Sequence, residues 1–270
     1  MGHKLSERLL VKKGDSVKLS EWDPEDDHGW SREEAESETE KNLERMSQLQ
    51  EKLWASRTHA LLTVLQAMDT AGKDSTIRRV MGHLNPQGCE VTGFKVPTEQ
   101  EREHDFLWRV HKAVPGKGEI GIFNRSHYED VLVVRVHNLA PEPVWRKRYD
   151  QIREFEQLLH QTGTSIRKFF LHISKEEQKQ RLQDRLDDPA KHWKFRLGDL
   201  DERALWSGYE AAYQDAIAET TRDHAPWFII PANRKWFRDL AVSQILVEAL
   251  EEMDLRFPEP EEDLTQVIIE

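Results

Sequence analysis

The stretch Leu61-Leu-Thr-Val-Leu-Gln-Ala-Met-Asp-Thr-Ala-Gly-Lys-Asp-Ser75 decides the fold class. Its first six residues are typical of a buried β-strand, and a short turn of small residues then opens directly into a helix. In such a turn, successive backbone N–H groups point into one concave space, and a lysine adds positive charge above it. The stretch therefore predicts a phosphate-binding loop centred on Gly72 and Lys73.

Two positions depart from the usual phosphate-loop pattern, in which a glycine opens the loop and a serine or threonine follows the lysine. Ala67 stands where the first glycine would be, and Asp74 follows the lysine, with Ser75 one place later. The pattern alone leaves an alternative open, in which Gly72 and Lys73 only shape a strand-to-helix turn. The position directly after a buried strand favours the phosphate-binding interpretation.

Asp69 is the candidate metal ligand within this loop. A carboxylate beside phosphates would repel them unless a cation stood between, and Mg²⁺ binds one or two carboxylates together with phosphate oxygens and water. The alternative is that Asp69 only stabilises the turn through its side chain, as aspartate often does. The sequence indicates Mg²⁺ as the cofactor and leaves this structural role open.

A second set of polar residues, Asn124, Arg125 and Ser126, follows the apolar run Glu119–Phe123. Because ligands in open α/β sheets bind at the carboxyl ends of the strands, we expect these residues to face the same ligand as the loop. Arg125 would then be a fixed cation for charge that develops on a phosphoryl group during transfer. The alternative is an arginine in an ordinary surface ion pair.

From Ala60 onward, short apolar runs alternate with helical periods, which predicts a parallel sheet with crossover helices. The predicted strands are Leu61–Gln66, Cys89–Phe94, Glu119–Phe123, Lys168–Ile173 and Trp227–Ile230. The predicted helices are 73–84, 98–112, 128–138, 142–162, 175–187, 201–222 and 235–253. Capping boxes at Ser31, Thr98 and Ser174 predict helix starts, the first of them for a long helix ahead of the sheet.

The predicted fold class is α/β, with a mainly parallel five-stranded sheet flanked by helices in one domain over residues 31–256. Residues 1–30 are polar and turn-rich and are interpreted as an extended arm, and residues 257–270 as an exposed acidic tail. Within the domain, Pro189 ends a helix, and the basic, aromatic segment that follows has no clear period. We expect a mobile helical lid over about residues 178–200.

The net charge of −11 argues against a general nucleic-acid-binding protein, because a basic surface is what neutralises phosphates. The sign reverses over residues 167–196, where nine lysines and arginines outnumber five acidic residues and give a local charge of +4. A polyanion would have to meet this part of the chain. No run of about 18 apolar residues could span a bilayer, and residues 1–7 lack the apolar stretch of a signal peptide, so we expect no membrane partner and a cytoplasmic protein.

These motifs together resemble the second family of polyphosphate kinases, and the likeness extends from about Asp23 to Leu250. Besides the loop and the Asn124 turn, the matching stretches are Lys168–Gln178, Arg181–Arg185, Trp193–Lys194 and Ala225–Trp227. The family implies a three-layer P-loop kinase fold with a helical lid. It also implies transfer of a terminal phosphoryl group between inorganic polyphosphate and a nucleotide, with the loop holding polyphosphate rather than ATP.

The resemblance implies a role for each matching site residue. The catalytic residues would be Asp69, Lys73, Asn124, Arg125 and, in the lid, Arg181, with Asp69 also holding Mg²⁺. The phosphate-binding residues would be Thr70, Ala71, Gly72, Lys73, Asp74, Ser75, Arg185 and Lys194. The nucleotide would contact Trp193, Asp199 and Glu129, with a second metal as the alternative partner of Glu129.

Many members of this family carry aspartate where this chain has Asn124. Members with asparagine look like the class III subgroup, which accepts both AMP and ADP and can carry AMP through to ATP. The implied partners are inorganic polyphosphate and adenine nucleotides, with guanine nucleotides left open, and the implied assembly is a dimer or tetramer. Because the acceptor is an ionised phosphate oxygen, we expect no covalent enzyme intermediate and assign no catalytic base.

Two other functions are compatible with the loop. The first is an ATP-dependent nucleoside or nucleotide kinase on the same fold. The second is a module that binds polyphosphate or nucleotide without turnover. The choice of phosphoryl donor separates the first from the family function, and turnover separates the second.

Overall fold

The computed structural model describes residues 4–260, 262, 264 and 267–269, and a six-stranded sheet lies at its centre. The strands are β1 (Leu10–Val11), β2 (Ala60–Ala67), β3 (Cys89–Gly93), β4 (Ile120–Asn124), β5 (Thr164–His172) and β6 (Trp227–Pro231). Their order across the sheet is β1-β6-β5-β2-β4-β3. All neighbours pair in parallel except β1, which runs antiparallel to β6.

The helices connect these strands and flank both faces of the sheet. They are α1 (Leu5–Leu9), α2 (Arg32–Ser56), α3 (Lys73–Thr76), α4 (Glu99–Arg102), α5 (Trp108–His111), α6 (Val133–Val136), α7 (Glu142–Gln161), α8 (Lys175–Asp187), α9 (Gly198–Ala204), α10 (Trp206–Thr220) and α11 (Lys235–Glu251). A π-helical turn over Ile77–Met81 continues α3. In the part of the chain described, no helix combines the length and the apolar character that crossing a membrane requires.

The sheet lies between two helical layers. On one face, α2 and α11 pack together over a core that includes Leu61 and Leu65 of β2. On the other face, α7 and α10 cover a second core that includes Leu62 and Val64. The residues of β2 thus point alternately to the two faces, and all eight are buried. The phosphate loop therefore starts from a strand that is held on both sides.

The predicted α/β class and the parallel pairing are confirmed, but the count of five strands is corrected to six. The additional strand is β1, in which Leu10 lies opposite Phe228 and Val11 opposite Trp227. A strand of two residues is too short to carry an alternating pattern, so no local pattern predicts it.

The N-terminal residues pack against the sheet instead of extending from it as the sequence suggested. Leu5 and Leu9 are buried in the core, the Leu19 N–H donates to the Gln214 side chain at 2.8 Å, and the His172 ring lies 3.0 Å from the Trp22 carbonyl oxygen. The few apolar residues of this segment are spaced too irregularly to predict such packing. Parts of the predicted arm and tail, namely residues 1–3, 261, 263, 265, 266 and 270, lie outside the described residues.

Three capping predictions are confirmed, since Ser31, Thr98 and Ser174 are the N-caps of α2, α4 and α8. At Ser174 the side chain accepts the Glu177 N–H, but the Glu177 carboxylate does not return to the cap. It binds the Arg181 side chain instead, at 2.7 Å. One of the two hydrogen bonds of that capping box is therefore missing, and the carboxylate holds the Arg181 side chain instead.

Two predicted helices are broken in the structure. The helix expected over 98–112 is interrupted at Asp105, whose carboxylate accepts a backbone N–H two residues further on and starts a new turn. The helix expected over 201–222 is interrupted at Leu205. Arg203 ties α9 to α8, through the Lys175 carbonyl oxygen and the Gln178 side chain, whereas α10 packs on the sheet.

Two further boundaries differ from the prediction. The helix expected over 128–138 is a 3₁₀ turn at His127–Asp130 followed by the short helix α6. Strand β5 begins at Thr164, four residues earlier than expected. The start of this strand has no apolar run, because it contains polar residues such as Arg167 and Lys168, the second of which is fully buried. The sequence pattern therefore predicted too late a start.

Lys168 of β5 carries a positive charge into the core. Its ammonium donates to Glu156 at 2.6 Å, to the Tyr128 hydroxyl at 2.9 Å and to the Thr220 carbonyl oxygen at 2.9 Å. Burial lowers the pKa of Lys168 to about 8, against the opposing effect of Glu156. Burial alone would raise the pKa of Glu156, but Lys168 and His127 hold it below its usual value. Lys168 and Glu156 are therefore both charged at neutral pH.

Replacement of this lysine tests the network. Lys168→Met should lower the free energy of unfolding by roughly 3–5 kcal/mol, because the Glu156 carboxylate would stay buried without its cation. Urea unfolding followed by far-UV circular dichroism measures the change. The double variant Lys168→Met/Glu156→Gln should recover part of the loss, since it removes the uncompensated charge. Wild-type stability of Lys168→Met alone would contradict this account.

Candidate active site

The phosphate loop spans the gap between β2 and α3. Thr70 and Gly72 adopt left-handed backbone conformations, with φ of 67° and 106°. The loop closes on itself through the Ala71 N–H, which donates to the Met68 carbonyl oxygen at 3.2 Å. Within residues 4–260, the N–H groups of Thr70, Gly72, Lys73, Asp74 and Ser75 donate to no protein acceptor. These free donors at the start of a helix form an anion-binding cradle.

Gly72 is required by the close approach of a buried arginine. A Cβ at this position would lie 2.2 Å from Nη1 of Arg238 and 3.0 Å from Oγ of Ser75. Arg238 is 1% exposed, pairs with Asp239 at 2.7 Å, and donates to the Ser75 hydroxyl at 3.1 Å. A larger residue at 72 would have to adopt a strained φ and displace this guanidinium.

The end of β4 brings a second segment to the loop. Leu65 of β2 lies opposite Asn124 of β4, and the Arg125 N–H donates to the Leu65 carbonyl oxygen at 3.1 Å. Arg125 itself has a left-handed φ of 64°, which directs its side chain away from the strand and toward the loop. The expectation that both strand ends meet at one edge of the sheet is confirmed.

Two side-chain contacts join the loop to this segment. Arg125 donates through Nη2 to Asp69 at 2.9 Å and through Nη1 to Glu129 at 3.3 Å. Asn124 donates through Nδ2 to Asp74 at 2.7 Å. Four of the predicted catalytic residues, Asp69, Lys73, Asn124 and Arg125, are thus brought together.

The two cations of the site, Lys73 and Arg125, differ in the direction in which the surroundings shift their pKa. Burial, together with the nearby Arg125, lowers the pKa of Lys73 to about 8, although the carboxylates of Asp69 and Glu129 act in the opposite direction. Burial alone would lower the pKa of Arg125 as well, but Glu129 and Asp69 raise it above its usual range. Arg125 is therefore a permanent cation, and the charge on Lys73 is favoured further by an anion in the cradle.

The acidic side chains of the site offer few ligands to a metal ion. Among the described residues, no group of three or more histidine, cysteine, aspartate or glutamate side chains converges on one point. A single half-exposed carboxylate, Asp69, beside an anion cradle fits Mg²⁺, which takes one or two carboxylates and completes its shell with phosphate oxygens and water.

Arg181 is placed differently from the role that the sequence suggested. Its side chain is 8% exposed and donates to four backbone carbonyl oxygens and to Glu177, so no N–H group remains for a phosphate. It lies behind the loop, on the carbonyl side. We therefore reassign it from contact with substrate to support of the loop backbone.

The other site residues predicted in the lid contact one another and not the loop. Arg185 donates to the Lys194 carbonyl oxygen at 3.0 Å and lies 3.6 Å from the Asp199 carboxylate. The Lys194 ammonium lies 5.0 Å from the centre of the Trp193 ring, and Trp193 is 77% exposed. In the described conformation this cluster is separate from the cradle.

Three residues that support the site were not predicted for it. Gln178 donates to the Asp69 carbonyl oxygen at 3.1 Å, and the hydroxyl of Tyr213 donates to the Ala67 carbonyl oxygen at 3.0 Å. The third is Arg238. Gln178 precedes Arg181 by three residues on one helix, and that spacing was a usable signal. Tyr213 lies on α10 and is buried, so its ring also packs in the core.

A lysine and an amide cradle at the end of the central strand of a parallel sheet define a P-loop phosphotransferase site. Comparison with known proteins agrees: the family model Polyphosphate kinase 2 matches residues 29–258. The chain belongs to the polyphosphate kinase 2 family.

Individual relatives are similar over most of their length. The AMP/ADP-polyphosphate phosphotransferase of Meiothermus ruber is 59% identical over 226 residues, which cover 84% of this chain and 85% of that protein. The ADP-polyphosphate phosphotransferase of Rhodopseudomonas palustris is 44% identical over 94% of this chain and 92% of its own. The crystal structure of polyphosphate kinase 2 from Arthrobacter aurescens TC1 has a TM-score of 0.94 and 44% identity, covering 97% of this chain and 94% of that one. The three-layer kinase fold is thereby confirmed.

Substitution of the loop glycine tests the cradle. Gly72→Ala should weaken binding of inorganic tripolyphosphate by at least roughly tenfold, about 1.4 kcal/mol, because the added Cβ displaces Arg238 and distorts the loop. Isothermal titration calorimetry measures the affinity. Gly93→Ala on the edge strand is the matched control, since its added Cβ meets open space and its φ is not left-handed. Equal affinities in the two variants would contradict the assignment.

Proposed function

We propose that this protein transfers the terminal phosphoryl group of inorganic polyphosphate to AMP and to ADP, forming ADP and ATP, in a reversible and direct in-line reaction. The observation that carries the proposal is the cradle of free N–H groups in the Lys73 loop, beside the Asp69–Arg125 pair at adjacent strand ends. Support for both acceptors comes from the relative at 59% identity, which is named for AMP and ADP.

The residues of the site suit a transfer that needs positioning and charge neutralisation. The loop N–H groups and Lys73 hold the phosphate chain. The Arg125 guanidinium, which Asp69 and Glu129 fix in place, stabilises the charge on the phosphoryl group during its transfer. The acceptor oxygen is already ionised at neutral pH, so no side chain has to remove a proton. His127 fits this account, because it is buried against Glu156 and faces the core.

Asp69 is the residue that would hold Mg²⁺. Its position is fixed at both ends, by Arg125 on the carboxylate and by Gln178 on its carbonyl oxygen. The bound cation would neutralise phosphate oxygens and draw the two substrates together. The half-exposed carboxylate beside the cradle supports this assignment.

The lid cluster is proposed to complete the two substrate sites when it approaches the loop. Arg185 and Lys194 would contact polyphosphate, and Trp193, Asp199 and Glu129 would contact the nucleotide. We also propose a cytoplasmic location, which a chain with one free cysteine, Cys89, and no partner for an internal disulfide fits. The dimer or tetramer implied by the family stays a prediction, which light scattering after gel filtration measures.

The donor experiment tests the function. Purified protein with Mg²⁺ and long-chain polyphosphate should convert ADP to ATP, and AMP to ADP and then ATP, as followed by liquid chromatography. GDP in a parallel reaction measures the base preference. Phosphorylation of a nucleoside or nucleotide by ATP, with no product from polyphosphate, would favour the ATP-dependent kinase. Binding of polyphosphate without any product would favour the non-catalytic module.

Asp69→Asn tests the metal-binding carboxylate. The variant should lose at least roughly a hundredfold in kcat, about 2.7 kcal/mol in activation free energy, because the amide cannot replace the charge that holds Mg²⁺. Initial rates of ATP formation at several Mg²⁺ concentrations measure the loss. Asp254→Asn is the control, since that carboxylate is exposed and lies beyond α11. Retained turnover in Asp69→Asn would remove this residue from the mechanism.

A further inference from the structure

Arg181 uses every N–H group of its side chain on protein oxygens. Nη1 donates to the carbonyl oxygens of Thr70 at 3.1 Å and Ala71 at 3.0 Å. Nη2 donates to those of Ala232 at 2.7 Å and Asn233 at 3.0 Å. Nε donates to Glu177 at 2.7 Å. One buried guanidinium thus connects three segments: the phosphate loop, helix α8 and the turn between β6 and α11.

The contacts of α8 with the loop are all to carbonyl oxygens of the loop. Gln178, three residues earlier on α8, donates to the Asp69 carbonyl oxygen at 3.1 Å, so three consecutive loop carbonyls from Asp69 to Ala71 are held from one helix. In a peptide unit the N–H and the C=O point in opposite directions. Fixing this row of carbonyls therefore also fixes the N–H groups of the same peptide units, which include two of the free donors of the cradle, those of Thr70 and Gly72.

The loop backbone needs such support. Thr70 adopts a left-handed φ of 67°, which is unfavourable for a β-branched residue and persists only where the surroundings hold it. The planar guanidinium donates to both loop carbonyl oxygens through Nη1 and still has its Nη2 and Nε N–H groups for the other three bonds. A lysine ammonium, with three N–H groups on one nitrogen, cannot make all five bonds.

We propose that Arg181 is a positioning residue that orients the phosphate-loop N–H groups for catalysis without touching either substrate. The inference rests on the proposed function for its kinetic consequences. It distinguishes Arg181 from Arg185, which lies one turn further along α8. Arg185 is partly exposed and donates one hydrogen bond to a backbone carbonyl oxygen. The two arginines carry the same charge on the same helix, but we expect Arg181 to position the loop and Arg185 to contact polyphosphate.

The experiment compares Arg181→Gln, Arg181→Lys and Arg185→Gln. Both Arg181 variants should lose roughly a hundredfold in kcat with polyphosphate and ADP, because a misplaced loop misaligns the transfer. Their polyphosphate KM should keep the wild-type dependence on salt, since no phosphate contact is lost. Arg185→Gln should instead raise the polyphosphate KM and flatten its salt dependence, with a smaller change in kcat.

A second readout does not depend on activity. Amide hydrogen exchange of the ligand-free protein, measured by mass spectrometry, should accelerate in peptides covering residues 68–76 of both Arg181 variants and stay at the wild-type rate in β5. Arg185→Gln should leave the exchange of these peptides unchanged. Because this measurement needs no substrate, it tests the positioning role even if the wild-type protein makes no ATP from polyphosphate, an outcome that would reject the proposed function alone.

Three results would overturn the inference. Full kcat in Arg181→Lys would mean that charge and not hydrogen-bond geometry matters. A raised polyphosphate KM with a flattened salt dependence in Arg181→Gln would mean that the side chain contacts the phosphate chain. Loss of the folded state in both Arg181 variants, seen by circular dichroism, would reduce the residue to a general structural role.

Discussion

The ion pair between Asp69 and Arg125 is the interaction on which the site depends. It joins the ends of two neighbouring parallel strands across 2.9 Å, and each partner is held independently. Asp69 follows a strand buried on both faces, and Arg125 is held by its backbone bond to Leu65. A cluster of cations that must accept phosphates would repel itself if left alone. The interleaved carboxylates of Asp69 and Glu129 remove that repulsion and keep the arginine charged.

The segment from Asn124 to Glu129 serves two environments at once. Asn124, Arg125 and Glu129 face the loop, whereas His127 and Tyr128 point into the core and bind the Glu156 carboxylate. The buried Lys168 ammonium thus supports the site without lying in it, because it holds Tyr128, which stands between Arg125 and Glu129 in the chain. A core of hydrocarbon alone would pack there, but it would not fix the hydroxyl of a tyrosine by three hydrogen bonds.

Local patterns in the sequence were sufficient for the parallel sheet, the phosphate loop and the group of Asp69, Lys73, Asn124 and Arg125. These features follow from strand ends and turn chemistry, which a short stretch encodes. The strand β1, the break at Leu205 and the placement of Arg181 depend on partners far away in the chain, and no local pattern reports them. Arg181 in particular was expected beside the substrate from the family resemblance. Burial turned all of its donors toward the backbone.

The contact between Asn124 and Asp74 bears on how many protons the site carries. The Asn124 amide donates to the Asp74 carboxylate at 2.7 Å and is itself uncharged, so the two side chains meet without repulsion. An aspartate in place of Asn124 would set two carboxylates at that separation, and they could stay together only by sharing a proton or a cation. Asparagine therefore leaves this edge of the site one unit less negative than an ionised aspartate would, and its bond to Asp74 needs no shared proton or cation.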